Sequence, residues 1–258
     1  MHKDILVLEG DEDEGLELDI EGIGVERNQI YVIGAHCTKQ KKVKPTRSRK
    51  KNRKLFRDSK IEEEWNRDWL YRVAIDAEGR EVDEQRITLR DIIKNDSVLK
   101  TFAGIPSKEN GIDIEGIAAK DGWLYVGFRE NYVPVMKLQF DKPEKSYELL
   151  YVQLGGRGIR DLAAVSDGFL LLAGPVGDGS DSYQLYHWNG RDVIPGSDVK
   201  DDEQGKLHLL GEITPPSAGK VEGVTVLEEH DSRYELIIAY DGAPDKEHVL
   251  QYFRAARP

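Results

Sequence analysis

Four related words recur along the chain: Asp19-Ile-Glu-Gly-Ile-Gly-Val25, Asp113-Ile-Glu-Gly-Ile-Ala-Ala119, Gly158-Ile-Arg-Asp-Leu-Ala-Ala164 and Val221-Glu-Gly-Val-Thr-Val226. Each offers a carboxylate (Glu21, Glu115, Asp161, Glu222), then a small or apolar residue, then a short apolar run, and a second apolar run follows. Self-similarity at this scale restricts the fold more than any overall composition, because a unit that cannot bury its own faces must stack on its neighbours.

The repeated units read as strands. Apolar or alternating runs at 112–119, 123–128, 133–140 and 147–154 form one quartet, with turn signals at Asp121-Gly122 and Asp141-Lys-Pro143. A second quartet spans 159–165, 169–173, 183–188 and 207–213, broken at Asp167-Gly168 and Asn189-Gly190. The last set, 221–227, 234–240 and 249–253, holds three strands, and the isolated run at 5–8 would complete it. In the first set, strands at 16–25, 29–34 and 69–75 are interrupted by an insertion. Asp58 or Ser59 is expected to cap a helix carrying Ile61, Trp65 and Trp69, and Thr88-Leu-Arg-Asp91 to start a second one carrying Leu89, Ile92 and Ile93.

Four-stranded repeats of about 45–60 residues describe a β-propeller. The expected fold is therefore all-β: one domain over 1–258, four blades of four strands, two short helices and a basic loop at 38–60 inserted in the first blade. Pairing of residues 5–8 with 249–253 would close the ring without a covalent link and remove two exposed edges.

Charge is segregated. Residues 39–60 hold twelve Lys or Arg against one acid, so the net charge of -11 leaves -22 on the remainder. The stretch has few apolar side chains and reads as an exposed loop, partly disordered when free. No apolar run approaches the roughly 20 residues that span a bilayer. Charge after four apolar residues at the N-terminus argues against a signal peptide, and one cysteine, Cys37, suits a reducing compartment; the expected location is cytoplasmic.

The words DIEGIG, YVIGAH with a Lys/Arg-rich stretch ending at Arg53-Lys-Leu-Phe56, GIDIEGIAAKDGWLYVGFRE, LGGRGIRDLAAV, LLLAGP and LYHWNG together resemble a family of bacterial β-propellers carrying a domain of unknown function, related in pattern to esterase-like phytase propellers. The resemblance implies the fold and little chemistry. Where that family has Ser-His-Gly or Ser-His-Ser, this chain has Ala35-His36-Cys37. Family members also carry a further upstream blade, so the ring is either four-bladed or completed by another chain.

A propeller would gather Glu21, Glu115, Asp161 and Glu222 at one mouth of its axis. Like charges so close need a cation. Arg129, Arg157 or Arg160 are the favoured partners, with Ca²⁺ or Mg²⁺ as the alternative for such hard oxygen ligands. His36, Arg53 and Arg57, with Arg129 and Arg160, are candidate anion ligands, since Arg makes bidentate bonds to phosphate or carboxylate. No nucleophilic triad or Gly-x-Ser-x-Gly word occurs, so no catalytic residue is assigned. The basic loop suits an acidic protein partner or self-docking better than nucleic acid, which a -22 body repels. The expected function is a noncatalytic binding or assembly module for a protein partner or anionic ligand. The alternative is a Ca-dependent phosphoester or ester hydrolase.

Overall fold

The computed structural model describes residues 18–41, 43–58, 60–129, 135–176, 182–201, 203–215, 219–242 and 249–258. Blade 1 comprises β1 (Ile20–Glu26) and β2 (Gln29–Gly34), then an arm of β3 (Thr38–Lys39), α1 (Arg49–Asp58) and β4 (Glu62–Glu63), then β5 (Leu70–Ile75) and β6 (Glu81–Ile87). After α2 (Arg90–Asn95), blade 2 is β7 (Ile114–Lys120), β8 (Trp123–Phe128), β9 (Val135–Leu138) and, past α3 (Pro143–Ser146), β10 (Glu148–Leu150). Blade 3 is β11 (Gly158–Val165), β12 (Gly168–Gly174), β13 (Tyr183–Trp188) and β14 (Leu207–Ile213). Blade 4 is β15 (Lys220–Glu229), β16 (Arg233–Asp241) and β17 (Leu250–Ala256). All are antiparallel sheets in a four-bladed propeller arrangement, with strand orders β1-β2-β5-β6, β7-β8-β9-β10, β11-β12-β13-β14 and β15-β16-β17. The run at 5–8, assigned to close blade 4, lies outside the described residues.

The period of two in each strand explains how blades stack. In β12, Phe169, Leu171 and Ala173 face blade 2, where they meet Tyr125 and Ala118, while Leu170 and Leu172 face Leu236 and Ile238 of blade 4. Between blades 1 and 2, Tyr31, Ile33 and Leu70 pack with Ile117, Val126 and Met136, and α2 adds Ile92 and Ile93. Tyr125 and Phe169 are tilted against each other at 4.2 Å between ring centroids. Central strands buried on both faces explain the unbroken apolar words LYVGF and GFLLLAG.

Polar ties fix the order of the blades at the ends of the inner strands. Glu26, closing β1, accepts the Gly122 N–H of the β7–β8 turn at 3.0 Å. Lys120, closing β7, donates to the Val165 carbonyl in blade 3 at 2.7 Å. Glu229, closing β15, accepts from the Ser166 N–H at 3.0 Å and its hydroxyl at 2.6 Å.

The insertion departs from expectation. Instead of a loop, β3 and β4 form a two-stranded ribbon carrying the ten-residue α1. Lys and Arg are good helix formers, and Ser48 accepts the Lys51 N–H through Oγ at 3.4 Å in the position of an N-cap. The helix expected through Ile61, Trp65 and Trp69 does not form: Glu62 and Glu63 pair with the ribbon, and a single 3₁₀ turn covers Trp65–Arg67. The second helix is present with Leu89, Ile92 and Ile93 buried. Strand β6 supplies the fourth strand expected of blade 1, at a position that its polar sequence EVDEQRI does not mark, because an exposed outer strand lacks an apolar signature.

Candidate functional site at the axial mouth

Strands β1, β7, β11 and β15 are the inner strands, and each breaks register at the same place. The ladder skips one residue between Ile20 and Gly22, Ile114 and Gly116, Ile159 and Asp161, and Val221 and Gly223. The bulged residues are therefore Glu21, Glu115, Arg160 and Glu222. A bulge frees a side chain from the pleat's alternation and re-aims it, here into the mouth of the axis. This corrects the equivalence drawn from sequence: Arg160, not Asp161, occupies the fourth position, and Asp161 stands in register with Gly22, Gly116 and Gly223. The signal was present in the words themselves, since Ile-Arg-Asp-Leu aligns without a gap onto Ile-Glu-Gly-Ile.

Close approach of the inner strands accounts for the glycines. A Cβ on Gly116 would stand 2.8 Å from Asp161 Cα. Asp161 itself turns back into the seam, where Oδ1 accepts the Leu162 N–H at 2.8 Å and Oδ2 the Val224 N–H of blade 4 at 2.8 Å. Burial pushes its carboxyl up to about 7 despite those two bonds.

Arginine supplies the countercharge. The Arg160 Nη1 donates to Glu222 at 3.1 Å and to Glu115 at 3.3 Å, and Nη2 donates to the Pro175 carbonyl at 2.7 Å. Arg129 forms a fork with Asp113 and Glu115. Arg67 pairs likewise with Asp19 and Glu64, so the aspartate of each Asp-Ile-Glu-Gly word holds an arginine. Asp19, Arg67 and Asp113 were absent from the sequence-derived set, although the shared aspartate was visible in both words. Arg157 faces elsewhere, donating to the Ser182 carbonyl at 2.7 Å.

Glu21 differs from the rest. It has no ion pair or hydrogen bond to protein among the described residues, and it borders a cavity of about 490 Å³ with Cys37, Arg67, Asp113, Glu115 and Arg129. Burial, then the charges of Glu115, Asp113 and Glu222, push its carboxyl up to about 8. Glu115 is raised to about 7, by burial first and Asp113 second. The Cys37 thiol on the same wall is pushed up to about 12, chiefly by burial, and is a poor nucleophile.

The anion constellation is not assembled. His36 is buried with φ 48°, a turn that folds its ring back so that Nδ1 lies 2.9 Å from the Gly34 carbonyl while Nε2 accepts the Leu89 N–H at 3.2 Å. Both nitrogens are engaged, and burial lowers the imidazole's pKa. Arg53 and Arg57 project from α1 and border a surface of the arm shared with Lys51 and Lys54, while Arg129 and Arg160 are committed to carboxylates. For metal, Glu228, His230 and Glu235 at the tip of the β15–β16 hairpin are the one group among the described residues whose donor atoms all lie within 4.8 Å of one another. Arg233 already donates to Glu235 there at 2.9 Å.

Among the described residues no helix is long and apolar enough to cross a membrane. The model of a family described as "Protein of unknown function (DUF3616)" matches residues 2–139 and 130–252. No curated protein matches the chain.

Proposed function

Because the chain belongs to the DUF3616 family of proteins of unknown function, we propose its role from its own geometry: a noncatalytic binding module whose axial mouth receives a ligand through a basic group. The observation that carries this reading is Glu21, a carboxyl without an ion pair or hydrogen bond to protein among the described residues, facing a small-molecule-sized cavity beside the paired Arg67 and Arg129. Arg67 and Arg129 on the wall are bound to Asp19, Glu64, Asp113 and Glu115, and Lys108 and Glu109 border the cavity as well. The carboxyl left open to a basic group at the inner strands is therefore that of Glu21. This redirects the expectation of an anionic ligand at Arg129 and Arg160. An ammonium group suits the site better than Ca²⁺, which takes 6–8 oxygen ligands, because an ammonium has three donors to satisfy. Burial and the neighbouring acids favour the protonated form of the Glu21 carboxyl, so an arriving ammonium would displace a proton from it.

The competing reading, a Ca-dependent phosphoester hydrolase, asks for at least three open carboxylates. Glu115 and Glu222 are instead closed by arginines and Asp161 by backbone N–H groups. Calorimetry with cadaverine at neutral pH, in two buffers of different ionisation enthalpy, tests the proposal. Binding accompanied by proton release, and weakened at least about tenfold in Glu21→Gln, is expected. Equal affinity in that variant would remove the mouth as the site, and Ca²⁺-dependent turnover of a phosphate ester lost in Glu115→Gln would favour the hydrolase.

A further inference from the structure

We propose a second binding site, on the arm of blade 1, for a compact ligand carrying several phosphate groups. The arm is a built structure. Its ribbon is held by ion pairs of Lys39 with Glu64 at 3.1 Å and Lys41 with Glu62 at 3.2 Å, and by the Thr38 hydroxyl donating to the Ile105 carbonyl at 2.9 Å. Glu63 anchors it to α2 through Arg90 at 2.7 Å. The helix is pinned in turn by the Asn52 amide, which donates to the Lys44 carbonyl at 2.8 Å.

Helix and ribbon enclose a concavity of about 520 Å³ into which Lys41, Arg47, Lys51, Lys54 and Lys60 converge around Leu55. Two acids border it, and both are already paired: Glu62 with Lys41, and Asp58 with Arg57 at 2.8 Å. Lys51, Lys54 and Lys60 make no ion pair among the described residues. Lys51 and Lys54 stand one turn apart on the same face of α1, on the ridge between this concavity and the surface that carries Arg53 and Arg57, whereas Lys41, Arg47 and Lys60 border the concavity alone. Like charges gathered in a concavity repel unless an anion sits between them.

The class of anion follows from shape and chemistry. Lysine is a flexible point-charge donor, well suited to phosphate oxygens. The concavity has the size of small-molecule sites, smaller than the footprint of an acidic protein surface. An extended nucleic acid would have to lie along a molecule whose remaining residues carry -22, whereas a compact oligophosphate reaches the arm alone. The concavity shares no lining residue with the axial mouth, although Thr38 and Lys39 of the supporting ribbon border that mouth.

Inorganic tripolyphosphate is the probe, titrated calorimetrically into the full chain at about 50 mM and about 300 mM salt. One ligand per chain is expected, with affinity falling steeply between the two salts and at least about tenfold in Lys51→Ala/Lys60→Ala at low salt; Lys60 borders the concavity and not the surface around Arg53. These side chains are exposed, so melting should be unchanged; Arg53→Ala, outside the concavity, and Glu21→Gln should bind as the parent does. Absence of binding at about millimolar ligand and low salt, or equal losses in Arg53→Ala and the double variant, would overturn the site. Binding of a poly-glutamate peptide as tight as tripolyphosphate would overturn the phosphate class in favour of an acidic protein. A single-stranded oligonucleotide binding more than about tenfold tighter would overturn compactness.

Discussion

His36 and Glu21 lie a few residues from the same mouth and respond to pH in opposite directions. His36 is held neutral, with burial depressing its pKa below 6.5; its contribution to stability is present above that value and is lost as acid protonates the unfolded chain preferentially. Replacing it by Ala strands the Gly34 carbonyl and the Leu89 N–H, and is expected to destabilise by about 2 kcal/mol, readable by urea denaturation. Glu21 works the other way. Its folded pKa of about 8 exceeds the unfolded 4.5, so the folded state binds more protons and stability falls as pH rises from 4.5 towards 8. Glu21→Gln is therefore expected to raise the melting temperature at pH 8 by on the order of 3 °C and to leave it unchanged below pH 4.5. An equal effect at both pH values would mean that the carboxyl's ionisation is not what the fold resists.

At the scale of single elements, the bulge in each inner strand matters more than the strand. Arg160 reaches two glutamates and a carbonyl from one bulged position. Arg160→Met would leave Glu115 and Glu222 sharing a partly buried site with Arg129 alone, and should cost about 3–5 kcal/mol. Adding Glu222→Gln should recover part of that loss, and no recovery would place the damage in packing. Gly116→Ala should also destabilise, because its Cβ meets Asp161 backbone that cannot move without shifting blade 3. Strands and mouth were legible from the chain to different degrees. The strands at 29–34, 123–128, 183–188 and 207–213 coincide with β2, β8, β13 and β14. In β2, β8 and β13 a largely buried apolar run marks the strand, and in the outer β14 the leucines at 207, 209 and 210 do so although they are only partly covered. Bulges escape such reading, since one unpaired residue leaves the apolar pattern intact. That is why Asp161 was placed in the ring and Arg160 beside it. The arm was missed for another reason: its helix is built from capping, helix propensity and side-chain ties, with only a small apolar face. His36 looked like a ligand because a polar residue at a strand end gives no hint of a backbone turning back upon it.

For the molecule as a whole, closure is the question of greatest consequence. Blade 4 has three strands among the described residues where its neighbours have four, and the edge strand β17 exposes Leu250 and Tyr252. Residues 5–8 are assigned to that edge from the sequence. Deleting residues 1–10 is then expected to lower the melting temperature of the entire propeller in a single transition, whereas unchanged melting would give the edge to a strand from another source. The ties at the ends of the inner strands carry a different implication. A glutamate of blade 1 takes an amide of blade 2, a lysine of blade 2 takes carbonyls of blade 3, and a glutamate of blade 4 takes an amide and a hydroxyl of blade 3. Two of these joints set a glutamate against a turn amide and the third sets a lysine against carbonyls, so the inner-strand end of blade 2 is keyed differently from those of blades 1 and 4. A glutamate in place of Lys120 at the joint between blades 2 and 3 would face the Val165 and Ser166 carbonyls, acceptor against acceptor. The seam between blades 2 and 3 thus accepts a cation where its neighbours accept an acid.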